Sequence, residues 1–177
     1  MNATLATWNA DDELAALGAM LACCGSRRWA QAMIAGRPIA SVWELSQAAD
    51  HAWSTMQEPD WLEAFACHPR IGEHKPLIAT AHTSHDPVER SAAWSRNEQL
   101  SARAANELVL AELAEDNQRY EQRFGFTYIV CATGKSAAEM LTILKRRLAN
   151  DRDFELREAA EQQRQIMQIR LGKWLVE

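Results

Sequence analysis

The chain has 177 residues, a length typical of one domain whose core is large enough to fold without a disulfide or a metal. Its formal net charge of -5 comes from interspersed acidic and basic residues, which argues against nucleic acid and anionic membranes as partners. The sequence has no apolar run of the roughly 18 residues that a membrane helix needs, and its first residues lack the basic-then-apolar pattern of a secretory signal. We therefore expect a cytoplasmic protein.

The composition predicts an all-α protein in which residues 1–177 form a single domain. Alanine, leucine, glutamate, glutamine and arginine are abundant, whereas glycine and proline number only seven and five. The first three predicted helices run through residues 12–24, 27–36 and 42–56, and their predicted capping residues are Asp11 or Asp12, Ser26 and Ser41.

Apolar spacing indicates which side of these helices is buried. In the first helix, Leu14, Leu17 and Leu21 recur at intervals of three and four residues. In the third helix, apolar area comes from Trp43, Leu45 and Trp53. A short fourth helix over residues 60–69 is closed by Pro69, which places His68 at its C-terminal edge.

The middle of the chain changes character twice. Residues 70–90 hold two prolines, three histidines and little periodicity, and they predict a functional loop. Helical periodicity returns over residues 91–123, first in a short segment with Trp94 and then in a long amphipathic helix. Two further helices are predicted after Ser136 and after Asp153 or a neighbour.

The stretch 124–134 differs from the helices around it. Its β-branched and aromatic residues suit a strand, yet the sequence offers no strand partner. We predict a buried, partly extended or irregular segment packed among helices.

Four cysteines, Cys23, Cys24, Cys67 and Cys131, show no paired spacing and predict buried free thiols in a reducing compartment. The alternative is a catalytic thiolate at Cys67 beside His68. That geometry is poor, because sequence neighbours on a helix point apart.

Four motifs stand out when they are considered together. They are His68-Pro69-Arg70-Ile71-Gly72, Ser95-Arg96-Asn97-Glu98-Gln99, the stretch from Asn117 to Phe126, and Arg147-Leu148-Ala149-Asn150. Each is weak alone, since Ser-x-x-Glu is also a common helix-capping box. In this order and spacing they resemble the signature of the 2-oxo-4-hydroxy-4-carboxy-5-ureidoimidazoline (OHCU) decarboxylases, and the resemblance covers nearly the whole chain.

The resemblance implies an activity, which is decarboxylation of the ureidoimidazoline to (S)-allantoin, the last step from urate to allantoin. Many decarboxylases need a cofactor as an electron sink, but this substrate carries its own sink in a ring C=N bond. The sequence has no Gly-rich phosphate turn and no evident metal-ligand spacing, so we expect neither cofactor nor metal. A homodimer is also implied.

The resemblance also implies the site. The catalytic residues are His68 as the acid/base and Glu98, which orients the imidazole or the substrate hydroxyl. We expect the helix C-terminus to raise the pKa of His68. The residues implied to bind substrate, largely through backbone groups in the second stretch, are Pro69, Ser95, Arg96, Asn97, Glu98, Gln99, Val130, Cys131, Ala132, Thr133 and Gly134.

One position departs from the family pattern. Many members carry an arginine just after the Phe-Gly-Phe segment, where this chain has Thr133 and Lys135. Lysine lacks the planar fork of arginine. Lys135 and Arg70 are the two candidates for preserving the charge.

Two other functions are consistent with parts of the sequence. His68, His74, His82 and His85 lie within 18 positions, as in a metal-dependent hydrolase, but their spacing does not match a helical ligand pair and solvated loop histidines explain them. A non-enzymatic helical interaction module would also use seven tryptophans and amphipathic helices.

Overall fold

The computed structural model describes residues 2–71, 87–98 and 107–177. Over these ranges the chain forms nine α-helices and no strand, which confirms the all-α prediction. The helices are α1 (Ala3–Ala10), α2 (Glu13–Cys23), α3 (Arg27–Ala35), α4 (Val42–Ser54), α5 (Glu58–Ala66), α6 (Pro87–Glu98), α7 (Glu107–Phe124), α8 (Ala137–Arg147) and α9 (Arg152–Trp174).

Side-chain caps begin most of the predicted helices where the sequence placed them. The side chains of Asp12, Ser26, Ser41 and Ser136 each accept a hydrogen bond from the backbone amide three residues later. The cap of α9 is Asp151 rather than Asp153, because the Asp151 carboxylate accepts the amide of Phe154.

Three helix starts differ from the sequence-based prediction. α1 was not predicted, and it is held by the Asn2 cap and the burial of Leu5 and Trp8. α5 begins earlier than expected, because Gln57 forms a capping box that tolerates a proline in the first turn. α6 begins at Pro87, inside the stretch predicted as a loop.

The C-terminal helix α9 lies at the centre of the fold. It packs against α2, α4 and α5, and its buried residues lie on several sides. Most are apolar, but Glu155, Gln163 and Arg170 are also buried there. Because α9 is buried on several sides, several helices pack their apolar residues against it. No helix in the described ranges is long and apolar enough to cross a membrane.

Buried tryptophans tie the helices together through their indole N–H groups. Trp29 Nε1 donates to Ala49 O at 3.1 Å, and Trp53 Nε1 donates to Ala160 O at 3.1 Å. Both indoles therefore bury a large apolar ring without leaving a polar atom unpaired.

Two apolar residues expected in the core are exposed. Leu14 is 81% exposed and Trp43 is 71% exposed, so their predicted burial is wrong. α2 instead turns Ala16, Met20 and Cys23 inward.

The stretch after α7 is irregular and buried, as predicted, although Phe124 still belongs to the helix. Gly125 ends α7 with a φ of 81°. Residues 126 and 128–132 are buried without regular secondary structure, and Thr133 and Gly134 are exposed.

Three of the four cysteines are buried free thiols, whereas Cys67 is exposed, so the prediction of burial is wrong for Cys67. Its side chain packs against the backbone of Gly25. A Cβ atom added at Gly25 would lie 2.3 Å from Cys67 Sγ and 2.7 Å from Cys67 Cβ. The absence of a side chain at Gly25 thus lets the end of α5 approach the turn between α2 and α3.

We predict that Gly25→Ala lowers the free energy of unfolding by about 1–3 kcal/mol through overpacking. Gly172→Ala is the matched control: a Cβ there meets no atom within 4 Å, so it should raise stability by about 0.5–1 kcal/mol. Urea unfolding measures both. Adding Cys67→Gly to Gly25→Ala should recover much of the loss, and a Gly25→Ala variant as stable as the wild type would contradict the contact.

Candidate functional site

His68 lies just beyond the C-terminus of α5, as the sequence predicted. Its amide donates to Phe65 O at 3.1 Å, which extends the helical turn by a single residue before Pro69. The residue is half-buried, but its Nε2 atom is fully buried and has no hydrogen-bond partner among the described residues. A buried ring nitrogen without a partner is costly unless a ligand satisfies it.

The electrostatics of His68 run opposite to the expectation. Burial, reinforced by the positive charge of Arg170, lowers the pKa of His68 to about 3, and the side chain of Gln163 opposes the shift only in part. The expected rise from the helix C-terminus is therefore outweighed. In the free protein the imidazole is therefore neutral near pH 7.

Arg170 is the site residue that the sequence-based reasoning missed. It lies on α9 with 1% of its surface exposed, and its Nη1 donates to Ser91 Oγ of α6 at 2.9 Å. Gln163, seven residues earlier on α9, is also buried, and its Oε1 has no hydrogen-bond partner in the described ranges. Polar residues at core-facing positions of the last helix were the signal that could have revealed both residues.

Helix α6 carries the second predicted motif. The backbone of residues 95–98 forms its last turn, while the side chains of Ser95, Arg96, Asn97 and Glu98 and the whole of Gln99 lie outside the described part of the chain. Four- and seven-residue steps return to one face of a helix. Positions 95 and 98 therefore lie on the face of Ser91, which contacts Arg170.

Residues 130–134 form a short extended piece followed by a turn. Val130, Cys131 and Ala132 are buried, and Lys135 N closes the turn by donating to Ala132 O at 3.0 Å. The positive φ of Gly134, 78°, suits this turn. The amides of residues 132–134 make no hydrogen bond with the described residues.

Side chains already occupy both backbone polar groups of Cys131. Its amide donates to Gln162 Oε1 at 2.9 Å, and its carbonyl accepts from Lys135 Nζ at 2.7 Å. The carbonyl oxygen has a second lone pair, so Cys131 stays among the residues predicted to offer backbone groups to a substrate.

The two candidates for the missing family arginine both have partners within the protein. Arg70 forms a two-pronged ion pair with Glu121, at 2.7 Å for Nε–Oε1 and 2.6 Å for Nη2–Oε2, and Lys135 bonds the Cys131 carbonyl. Arg170 is a third cation, and its charge acts on His68.

The structure brings some predicted site residues together through α9. His68 lies beside Gln163 and Arg170, and Cys131 bonds Gln162, which directly precedes Gln163. Within the described ranges His68 makes no hydrogen bond to residues 130–134. Helix α9 thus borders both groups.

The thiol alternative is disfavoured by the surroundings of Cys67. Although the residue is exposed, its Sγ atom packs against the carbonyls of Gly25 and Glu63. This partial desolvation, followed by the negative charge of Glu63, raises the pKa of Cys67, and a raised pKa keeps the thiol protonated and weakly nucleophilic. No group of three His, Cys, Asp or Glu residues in the described ranges could hold a metal ion. His74, His82 and His85 lie outside those ranges.

Comparison with known proteins identifies the family. The family model described as OHCU decarboxylase matches residues 9–172. The chain belongs to this family. A solved OHCU decarboxylase, crystallised in the presence of (S)-allantoin, superposes with a TM-score of 0.73 at 33% identity and covers 89% of this chain and 96% of that one. A solved (S)-allantoin synthase shares the fold at 15% identity, with a TM-score of 0.68.

Two curated relatives differ in how much of their own length this chain covers. The uric acid degradation bifunctional protein TTL of Arabidopsis thaliana is 38% identical over 152 residues, which is 85% of this chain but 44% of that protein. The decarboxylase of Amia calva is 28% identical over 80% of this chain and 77% of its own length. The chain thus spans less than half of the bifunctional relative.

We predict that His68 destabilises the fold as the pH falls. Its pKa is about 3 in the folded chain and about 6.5 in an unfolded one, so the unfolded chain binds more protons between these values. The free energy of unfolding should fall from pH 6.5 downwards by up to about 1.4 kcal/mol per pH unit from this group, and above pH 6.5 this dependence should vanish.

Urea unfolding at several pH values between 4.5 and 7.5 tests this linkage. His68→Asn should show a shallower loss of stability with acid than the wild type. His51→Asn, which replaces an exposed histidine in α4, is the matched control. Equal slopes in the wild type and His68→Asn would contradict the lowered pKa.

Proposed function

We propose that this chain decarboxylates 2-oxo-4-hydroxy-4-carboxy-5-ureidoimidazoline to (S)-allantoin without a cofactor. Family membership and the 33%-identical relative crystallised with (S)-allantoin support this substrate class. The observation that carries the proposal is the unpartnered, neutral Nε2 of His68 beside the buried guanidinium of Arg170. Membership also favours an enzyme over the helical interaction module considered above.

The first proposed role is that of Arg170 in binding the substrate anion. Arg170 is buried, and its charge acts on His68, so a carboxylate bound next to the imidazole would also lie within the field of this cation. The planar fork of arginine also fixes the orientation of a carboxylate through two parallel hydrogen bonds. Ser91 holds Nη1 from the α6 side, which leaves the guanidinium in a defined plane.

The second proposed role is proton transfer by His68. When the C–COO⁻ bond breaks, its electron pair forms a C=C bond and the ring C=N electrons move to nitrogen, which takes up a proton. The resulting enol must then lose its hydroxyl proton and gain one at the neighbouring carbon. A neutral imidazole can accept the hydroxyl proton and then donate a proton to the neighbouring carbon. Because the ring is held in one position, the proton reaches one face of that carbon.

The remaining substrate contacts are proposed from the resemblance. Pro69 follows His68 directly. Ser95, Arg96, Asn97, Glu98 and Gln99 are proposed to bind the substrate, with Glu98 orienting the imidazole or the substrate hydroxyl. Val130, Cys131, Ala132, Thr133 and Gly134 are proposed to line the substrate, largely through backbone groups. A homodimer, a cytoplasmic location and independence from metals stay predictions.

Replacing His68 tests the proposed function. His68→Asn keeps a hydrogen-bonding side chain but cannot transfer the proton, so we expect turnover to fall about 100- to 10,000-fold. The residual spontaneous reaction should give racemic allantoin. Circular dichroism of freshly generated substrate follows the rate and the enantiomer together, and His51→Asn should behave as the wild type.

Two outcomes would contradict the proposal. A wild-type protein that does not accelerate formation of one enantiomer would exclude the activity. A folded His68→Asn variant that still yields one enantiomer at a rate within a few-fold of the wild type would assign the proton to another group.

A further inference from the structure

We propose that Gln162 and Lys135 are positioning residues that hold the backbone of Cys131, Gln162 at its N–H group and Lys135 at its carbonyl. By holding this backbone they fix the amides of residues 132–134 for the substrate. The inference rests on the proposed function, since that function brings the substrate to residues 130–134. Neither side chain is proposed to contact the substrate.

The geometry of the Cys131 peptide is the first observation. Gln162 Oε1 accepts its N–H at 2.9 Å, and Lys135 Nζ donates to its carbonyl at 2.7 Å. Gln162 lies on the long helix α9, whereas Lys135 lies in the short connection before α8. Two separate elements therefore restrain the two consecutive peptide groups that flank the Cα atom of Cys131. Cys131 itself is only 6% exposed.

The lack of regular structure around Cys131 is the second observation. A strand in a sheet is held by a ladder of backbone hydrogen bonds, but residues 127–132 have no such ladder. Side chains replace it. Arg147 Nη1 donates to Ile129 O at 2.7 Å, and Gln162 and Lys135 follow at Cys131. Without these contacts the extended piece has little to select one backbone conformation.

The position of Gln162 next to Gln163 is the third observation. Gln163 borders His68, so one helix sets the location of the extended piece and of the imidazole. Losing the Gln162 contact should loosen residues 130–134 without altering the charge environment of His68. We therefore expect substrate binding to weaken while the proton-transfer step is largely kept.

Two pairs of variants isolate this effect in the full chain. Gln162→Met removes the acceptor and keeps the length. Gln165→Met is its control, because Gln165 is also half-buried on α9 and, among the described residues, its side chain bonds only Glu161 of the same helix. Lys135→Met removes the carbonyl partner, and Lys145→Met, which breaks an exposed pair with Glu112, is its control. Gln162→Glu retains an acceptor and should rescue.

Hydrogen exchange and steady-state kinetics are both measured. In Gln162→Met and Lys135→Met, amide exchange over residues 127–134 should speed up about 2- to 10-fold, the worth of one net hydrogen bond. KM should rise by a similar factor while kcat stays within about 3-fold. Gln162→Glu and both control variants should match the wild type in exchange and in KM.

Each result separates the hypotheses. Unchanged exchange in Gln162→Met and Lys135→Met would overturn the restraint on Cys131. Faster exchange with an unchanged KM would overturn its role in substrate positioning. A wild-type chain without decarboxylase activity would overturn the proposed function, while the exchange data would still decide whether the Cys131 peptide is held.

Discussion

The fold depends on three polar residues that the central helix α9 carries into the core. Glu155, Gln163 and Arg170 are buried there, where water cannot replace a missing partner. Glu155 pairs with Arg147 at 2.6 Å and also bonds Tyr120 and Asn150. Removing one partner of such a buried pair costs about 3–5 kcal/mol, because the other charge stays buried and unpaired. The helices that supply the partners are therefore fixed relative to α9.

This requirement links the two ends of α9 to the candidate site. Towards its N-terminal end, Glu155 pairs with Arg147, whose guanidinium lies against the rings of Tyr120 and Tyr128. Arg147 also donates to Ile129 O, which anchors the irregular segment. Towards its C-terminal end, Arg170 contacts α6, and its charge adds to the burial that lowers the pKa of His68 and keeps the imidazole neutral. The same helix thus restrains the segment proposed to line the substrate and sets the charge state of the proposed base.

The sequence predicted what depends on local chemistry and missed what depends on distant contacts. Caps such as Ser41 act over three residues, so the helix starts could be read directly. The His-Pro motif likewise located His68 through a helix end. The pKa of His68 could not be predicted, because it depends on burial and on Arg170, 102 positions away along the chain. Trp43 was misplaced for the same reason: its exposure follows from how α4 packs on α3 and α9.

The central claim is that the protein holds His68 as a neutral base beside a buried cation. Nitrogen-15 NMR of labelled imidazole rings, followed from pH 8 down to the onset of acid unfolding, reads the charge of this ring directly, with His68→Asn assigning its signals. The account predicts that the His68 ring nitrogens keep the shifts of a neutral imidazole at pH 6 and at pH 5. A His68 signal that titrates to the imidazolium between pH 7 and pH 6 would contradict it.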